Sequence, residues 1–234
     1  MSKTAALFRS PEDAAASAAR LAALGWSVAL APAAAPAPLP VLSPLGPFAG
    51  IVASSAKAFE YADAQVLHAL RGAPVHVVGE KTARAAIRCG FASQPAARDA
   101  AELARRIVAG FAPPARFVYL AGRDRKSDLE RALAEAGLAV ETLETYEMRA
   151  REAWSREEAE GVGRADAALH YSRRSAELAC ALATRAGLRE RWRALIHVGL
   201  SANALEPLEA TAARLIVAAE PNEAAMFAAL VKLA

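Results

Sequence analysis

The sequence predicts an α/β fold of two similar domains, each a parallel β-sheet flanked by helices. Three observations carry this. Short apolar runs alternate with longer stretches of helical period from end to end of the 234 residues. Helix starts carry Ser or Pro and helix ends carry Gly. A faint internal echo relates Ile51-Val52-Ala53-Ser54-Ser55 to Ala168-Leu169-His170-Tyr171-Ser172. Strand followed by helix, repeated, demands parallel strands joined by right-handed crossovers.

Taken in order, a strand over residues 5–8 leads into a helix over 11–24, with Ser10 as N-cap and Pro11 in the first turn. A strand follows at 27–31. Strands at 50–53 and 75–78 flank a helix over 56–70, and helices over 81–89 and 100–111 precede a strand at 117–120. A helix over 127–136 and a strand over 140–146 close the middle of the chain. Gly25, Gly90 and Gly137 stand just past helix ends, where a left-handed residue is needed. The last third reads as helix 156–163, strand 167–171, helix 175–186, strands 195–198 and 215–218, and helix 223–233. Each echo segment is followed by a helix and a strand ending in glycine, Val78-Gly79 and Val198-Gly199, and then by a helix opened by Thr82 or Ser201.

Two segments read as linkers. Residues 32–47 are rich in proline and alanine, hence stiff and extended, and 149–153 are short and charged. The stretch before the first linker is too small to bury its own faces. It therefore joins the C-terminal part as one discontinuous domain, 1–34 plus 150–234, with 35–149 inserted as the second. Two domains joined by two crossings predict an active-site cleft with hinge motion.

Composition narrows the function. Hydrophobic residues are 55% and charged residues 23%, which suits a globular core. The net charge of +3 is evenly spread: residues 35–149 hold 14 basic and 12 acidic side chains, and the rest hold 14 and 13. With no basic stripe, a nucleic-acid partner is not expected. Residues 1–9 lack a signal peptide's apolar core, and prolines interrupt the apolar stretch at 28–45. A cytoplasmic protein without membrane association is expected. Cys89 and Cys180 read as two free, buried thiols. Dinucleotide, phosphate-loop and acyl-transfer signatures are absent. The histidines do not fall in metal-ligand pairs, and His76 and His197 read as structural.

In open parallel sheets, ligands bind outside the carboxyl ends of the strands. There the sequence places Ser54-Ser55-Ala56-Lys57, Gly79-Glu80-Lys81-Thr82, Gly122-Arg123-Asp124-Arg125-Lys126-Ser127, Ser172-Arg173-Arg174-Ser175 and Gly199-Leu200-Ser201. Each reads as a turn opening a helix, with hydroxyls, small residues and cations. Helix N-termini suit carboxylates or phosphates. Basic residues there run against the helix dipole, which makes Arg123, Arg125, Arg173 and Arg174 unusual. Five such turns point to a polyanionic small molecule.

These positions carry a resemblance to the uroporphyrinogen-III synthase family that spans essentially the whole chain. It rests on Leu7-Phe8-Arg9-Ser10-Pro11-Glu12-Asp13, Ala53-Ser54-Ser55-Ala56-Lys57-Ala58 and Val78-Gly79-Glu80-Lys81-Thr82-Ala83. It continues through Leu120-Ala121-Gly122-Arg123, Thr145-Tyr146, Ser172-Arg173-Arg174-Ser175 and Ala219-Glu220-Pro221-Asn222-Glu223-Ala224-Ala225-Met226. Gly199-Leu200-Ser201-Ala202 and Asn222 depart from the family pattern. The resemblance implies a cofactor-free lyase, monomeric, that cyclises hydroxymethylbilane, a linear tetrapyrrole with eight carboxylates. The terminal hydroxyl leaves, a spiro intermediate forms, and ring D is inverted in the product. It further implies Tyr146 as the group assisting hydroxyl departure. Arg9, Lys57, Arg123 and Arg173 become charge partners for substrate carboxylates. Backbone amides near Ser54, Ser55, Gly79, Thr82, Ser172 and Ser201 hold further acidic arms. A transient contact with hydroxymethylbilane synthase is a further expectation. The rival reading is a non-catalytic two-domain binding protein or sensor for an anionic tetrapyrrole-like ligand.

Overall fold

The apolar runs condense into two five-stranded sheets, one in each of two compact units. A computed structural model describes residues 3–232, so Leu233 of the expected last helix lies outside the described residues. One unit comprises Met1–Ala35 with Arg149–Ala234, the other Pro36–Met148. In chain order the strands are β1 (Lys3–Leu7), β2 (Trp26–Leu30), β3 (Ala34–Pro38), β4 (Gly50–Ala53) and β5 (Val75–Val77). Then come β6 (Arg116–Gly122), β7 (Ala139–Ala150), β8 (Ala167–His170), β9 (Ile196–Gly199) and β10 (Arg214–Val217).

The first unit's sheet runs β10-β9-β8-β1-β2 with every pairing parallel. Alternate residues of its strands enter two cores. Ala6 and Ala168 pack with Leu182, Leu205 and Leu208 on one face. Leu7 and Leu169 pack with Leu21, Met226 and Leu230 on the other. Burial on both faces explains why these strands read as unbroken apolar runs rather than alternating ones. The second unit's sheet runs β3-β7-β6-β4-β5, and the pairings among β7, β6, β4 and β5 are parallel. Ile51, Val77 and Leu120 face one core, and Val52, Phe117 and Tyr119 face the other.

Several expectations are corrected. The proline-rich segment is not only a linker: Ala34–Pro38 forms β3 at the edge of β7, making this sheet mixed, and Leu39 N–H donates to Thr145 O at 2.9 Å. An edge is where a strand carrying Pro36 and Pro38 can sit, because proline donates nothing to a ladder. Strand β7 continues through Ala150, absorbing the start of the expected second linker. The helix expected over 56–70 is two, Lys57–Glu60 and Ala64–Ala69, because the Asp63 carboxylate accepts from Gln65 N–H and starts a new helix. Unexpected short elements are Arg189–Ala194 and the 3₁₀ turn Glu206–Leu208, whereas the short helix Ala202–Leu205 opens at Ser201 as expected. Both cysteines are half-buried rather than buried. Gly25, Gly90 and Gly137 all adopt the left-handed conformation that ends their helices. Among the described residues, no helix is long and apolar enough to cross a membrane.

Candidate functional site

In the second unit, the carboxyl ends of β4, β6 and β7 bring together four hydroxyl groups. Ser54 Oγ lies 2.7 Å from Tyr119 OH, and Tyr146 OH donates to Ser55 Oγ at 3.1 Å. Two serines after β4 thus each meet a phenol, Ser54 that of the neighbouring β6 and Ser55 that of β7 one strand further on. Gly122 makes room for this: a Cβ there would lie 2.7 Å from Tyr146 Cζ and 2.9 Å from its OH. Only a residue without a side chain lets the Tyr146 ring cross β6 at that point. The Tyr61 ring also packs near Tyr146, with centroids 6.2 Å apart. Burial raises the Tyr119 phenol above its ordinary pKa, partly offset by the Ser54 bond, so it stays protonated.

Beside these hydroxyls lies a cluster of ion pairs. Arg123 bonds Glu147 at 2.6 Å and Glu144 at 3.2 Å. Arg125 bonds Glu130 at 2.8 Å and Glu144 at 2.9 Å. Bonds from Arg125 and then Arg123 hold the Glu144 carboxyl below its usual range. Both arginines lie in the loop ahead of the helix Asp128–Glu135, not at its first turn, which corrects the expectation of cations set against a helix dipole for these two. Arg173 and Arg174, by contrast, do stand in the first turn of the helix Arg173–Arg185. The Arg123 side chain is 52% exposed, and a pair open to water on that side contributes about 0–1 kcal/mol. Exchanging Glu147 for a ligand carboxylate therefore costs little.

The helix Glu80–Arg88 starts from Gly79, which offers no side-chain cap. Thr82 does not open this helix as expected. It lies inside the first turn, buried, and its N–H donates to Gly79 O. Ser54 and Ser55 likewise cap nothing, since Ala56 is the N-cap of the helix that begins at Lys57. Their hydroxyls are turned to the tyrosines instead.

The first unit's carboxyl edge is built differently. Ser172 caps the helix Arg173–Arg185 by accepting from Ser175 N–H at 3.2 Å, and Ser201 accepts from Ala204 N–H at 3.3 Å. Arg173 Nη1 bonds Glu206 at 2.9 Å. A second network centres on Glu223, in the first turn of the helix Glu223–Val231. Its carboxylate accepts from Tyr171 OH at 2.6 Å, from Arg20 at 2.8 Å and from Ser17 Oγ. Arg9 stands 3.5 Å from the same carboxylate and 4.5 Å above the centre of the Tyr171 ring. Burial, reinforced by the Glu223 bond, pushes the Tyr171 phenol up to about 12.

Behind this edge His170 and His197 stack inside an aromatic cluster with Phe8 and Trp192. His197 Nε2 meets Trp192 O at 2.8 Å, so it carries the proton. His197 Nδ1 then accepts from His170 Nε2 at 3.0 Å, which leaves His170 Nδ1 a bare, buried acceptor. His197 is structural, as read from the sequence, and His170 joins it. Among the described residues, no group of three or more His, Cys, Asp or Glu is placed to hold a metal ion.

The residues singled out in the sequence thus divide between the two units. Tyr146, Ser54, Ser55, Lys57, Gly79, Thr82 and Arg123 belong to the second, and Arg9, Ser172, Arg173 and Ser201 to the first. Sequence reasoning missed Tyr119, and it missed the network joining Arg9, Ser17, Arg20, Tyr171 and Glu223. Tyr171 stands directly after the strand that carried the internal echo, which was the available signal. Nothing local marked Tyr119 among the apolar residues of β6.

The uroporphyrinogen-III synthase HemD family model matches residues 15–228, most of the chain. No curated protein sequence matches. The uroporphyrinogen-III synthetase structure from Helicobacter pylori 26695 is similar, with a TM-score of 0.59 at 13% identity and full coverage of both chains. A mutant uroporphyrinogen III synthase from the extremely thermophilic bacterium Thermus thermophilus gives a TM-score of 0.47 at 17% identity, covering 98% of each chain. The first of these likenesses shows a shared fold, and the family match assigns the sequence. The chain belongs to the uroporphyrinogen-III synthase family.

Proposed function

We propose that this chain cyclises hydroxymethylbilane to uroporphyrinogen III with inversion of ring D, as a lyase working without a cofactor in the cytoplasm. The observation that carries the reading beyond family membership is the Tyr146 hydroxyl, held at the carboxyl end of the sheet by Ser55 and set over Gly122. A phenol so placed can exchange its serine partner for the departing hydroxyl of the substrate and assist its loss. The substituted carbon of the last ring then attacks the azafulvene cation to form the spiro intermediate, which fragments and recloses with that ring inverted and loses a proton, so that water is lost overall. The substrate also closes unaided to the uninverted isomer, so the main task of the protein is conformational.

The acidic arms of the substrate match two kinds of group. Arg123 and Arg173, each about half exposed, hold carboxylates in exchangeable pairs, and Arg9 stands at long range from its own acid. The first turn of Glu80–Arg88, capped by Gly79 without a side chain, offers backbone N–H groups to an anion. Lys57 opens the helix after β4 and adds a charge at the same edge. Ser172 and Ser201 act as caps, and the binding there falls to main-chain amides. We further propose that substrate arrives through transient contact with hydroxymethylbilane synthase.

The test is to generate hydroxymethylbilane enzymatically, add the protein, oxidise the products and separate the type I and type III isomers. Predominant type III supports the reading. Type I alone from well-folded protein rejects it.

A further inference from the structure

Arg9 is the cation nearest the carboxyl end of β1, and its surroundings differ from those of the other arginines. Arg123, Arg125 and Arg173 make short bonds to acids. Arg9 has two long polar contacts, 3.5 Å to Glu223 and 3.5 Å to Ser17 Oγ, and its side chain remains 34% exposed. What holds it is the Tyr171 ring, 4.5 Å beneath the guanidinium. The ring is itself fixed, because Tyr171 OH donates to Glu223 at 2.6 Å. Glu223 is anchored in turn by Arg20 at 2.8 Å and by Ser17. Its carboxylate is thus already satisfied by three donors and accepts little from Arg9.

This arrangement displays a guanidinium over an aromatic platform, at the strand edge where open parallel sheets bind ligands. A guanidinium so held keeps its planar fork for a bidentate carboxylate and gives up less rotamer freedom on binding. We infer that Arg9 and Tyr171 form a carboxylate seat in the first unit, with Arg9 as the binding cation and Tyr171, fixed by Glu223, as its positioning residue. The proposed function supplies the ligand class, one acidic arm of an octacarboxylate tetrapyrrole.

The experiment measures the affinity of uroporphyrin III, by its own fluorescence, at several salt concentrations. Wild type is compared with Arg9→Gln, Tyr171→Phe, Tyr171→Leu and Arg9→Gln/Tyr171→Leu, all checked for folding by circular dichroism. Arg9→Gln is expected to weaken binding about 10-fold and to flatten its salt dependence. Tyr171→Leu removes the platform and is expected to cost about 3- to 5-fold, and Tyr171→Phe, which keeps the ring, about 2-fold or less. The double variant should bind no more weakly than Arg9→Gln alone, because the ring acts through the guanidinium. Wild type that does not bind the probe, Arg9→Gln with unchanged affinity and salt slope, or fully additive losses in the double variant each overturns the seat. The isomer assay is read separately. Type I product with Arg9-dependent binding rejects the synthase reading and keeps the seat. Type III product with Arg9-independent binding does the reverse.

Discussion

Acid should unfold the first unit well before carboxylate protonation begins to matter. Burial pushes His197 down to about 4 and holds His170 well below 6.5, and the neighbouring His197 lowers His170 further. Both are therefore neutral in the folded unit and protonated in the unfolded chain at mildly acidic pH. The unfolded state then binds more protons, so stability is fully present above pH 6.5 and is lost as pH falls from there toward 4. For His197 alone, lowering the pH to about 5 removes about 2 kcal/mol, taking about 1.4 kcal/mol per pH unit below the ordinary value. His170, in the same cluster, adds to this in the same direction. Carboxylates held low by cations, such as Glu102 and Glu144, start from an ordinary value of 4.5 and enter only at the acid end of this window, below the pH of about 5 used here. The assay is built into the chain: Trp26, Trp154 and Trp192, its only tryptophans, are all buried in the first unit. Urea unfolding followed by tryptophan emission should therefore show a midpoint lower by about 1 M or more at about pH 5 than at about pH 7. An unchanged midpoint refutes the reasoning, as does an NMR titration placing both folded histidines near the ordinary value of 6.5.

Tyr146→Phe should lower turnover about 100-fold while product affinity changes less than about 2-fold, and single-turnover kinetics against fluorescence binding separate the two. Gly122→Ala should push the Tyr146 ring aside. It is expected to cost about 1–3 kcal/mol in urea unfolding and to reduce turnover as well. Ser172→Ala removes a helix cap and should cost about 1 kcal/mol of stability, read by urea unfolding, with product affinity nearly unchanged. Arg123→Ala should leave stability within about 1 kcal/mol yet flatten the salt dependence of product affinity.

What could be read in advance follows from the range of the interactions involved. Strands such as β4 and β8 are buried on both faces, so their apolar runs announce them without reference to any partner. Caps and helix-ending glycines are equally local, and Ser172, Ser201, Gly25 and Gly137 stand where their neighbours require them. The edge strand Ala34–Pro38 escaped notice because its partner, the segment around Thr145, lies about a hundred residues away and its composition resembles a stiff linker. The break at Asp63 is local but competes with a helical pattern that continues through it. At the site, Tyr146 could be singled out because a family motif carries it. The Tyr119 contact with Ser54 and the Tyr171 contact with Glu223 join residues 65 and 52 positions apart. Neither has a spacing that marks it. Arg123 and Arg173 were recognisable as charges at strand ends, but their pairing with Glu147 and Glu206 depends on elements brought together only by folding.

The most direct test of the proposed activity sets the protein against the spontaneous reaction. With a fixed supply of hydroxymethylbilane, the type III fraction of the oxidised product is measured as the concentration of folded protein rises, with heat-unfolded protein as the control. A type III fraction that climbs toward completeness with folded protein alone is the expected result. A fraction that stays at the value of the protein-free reaction at every concentration contradicts it.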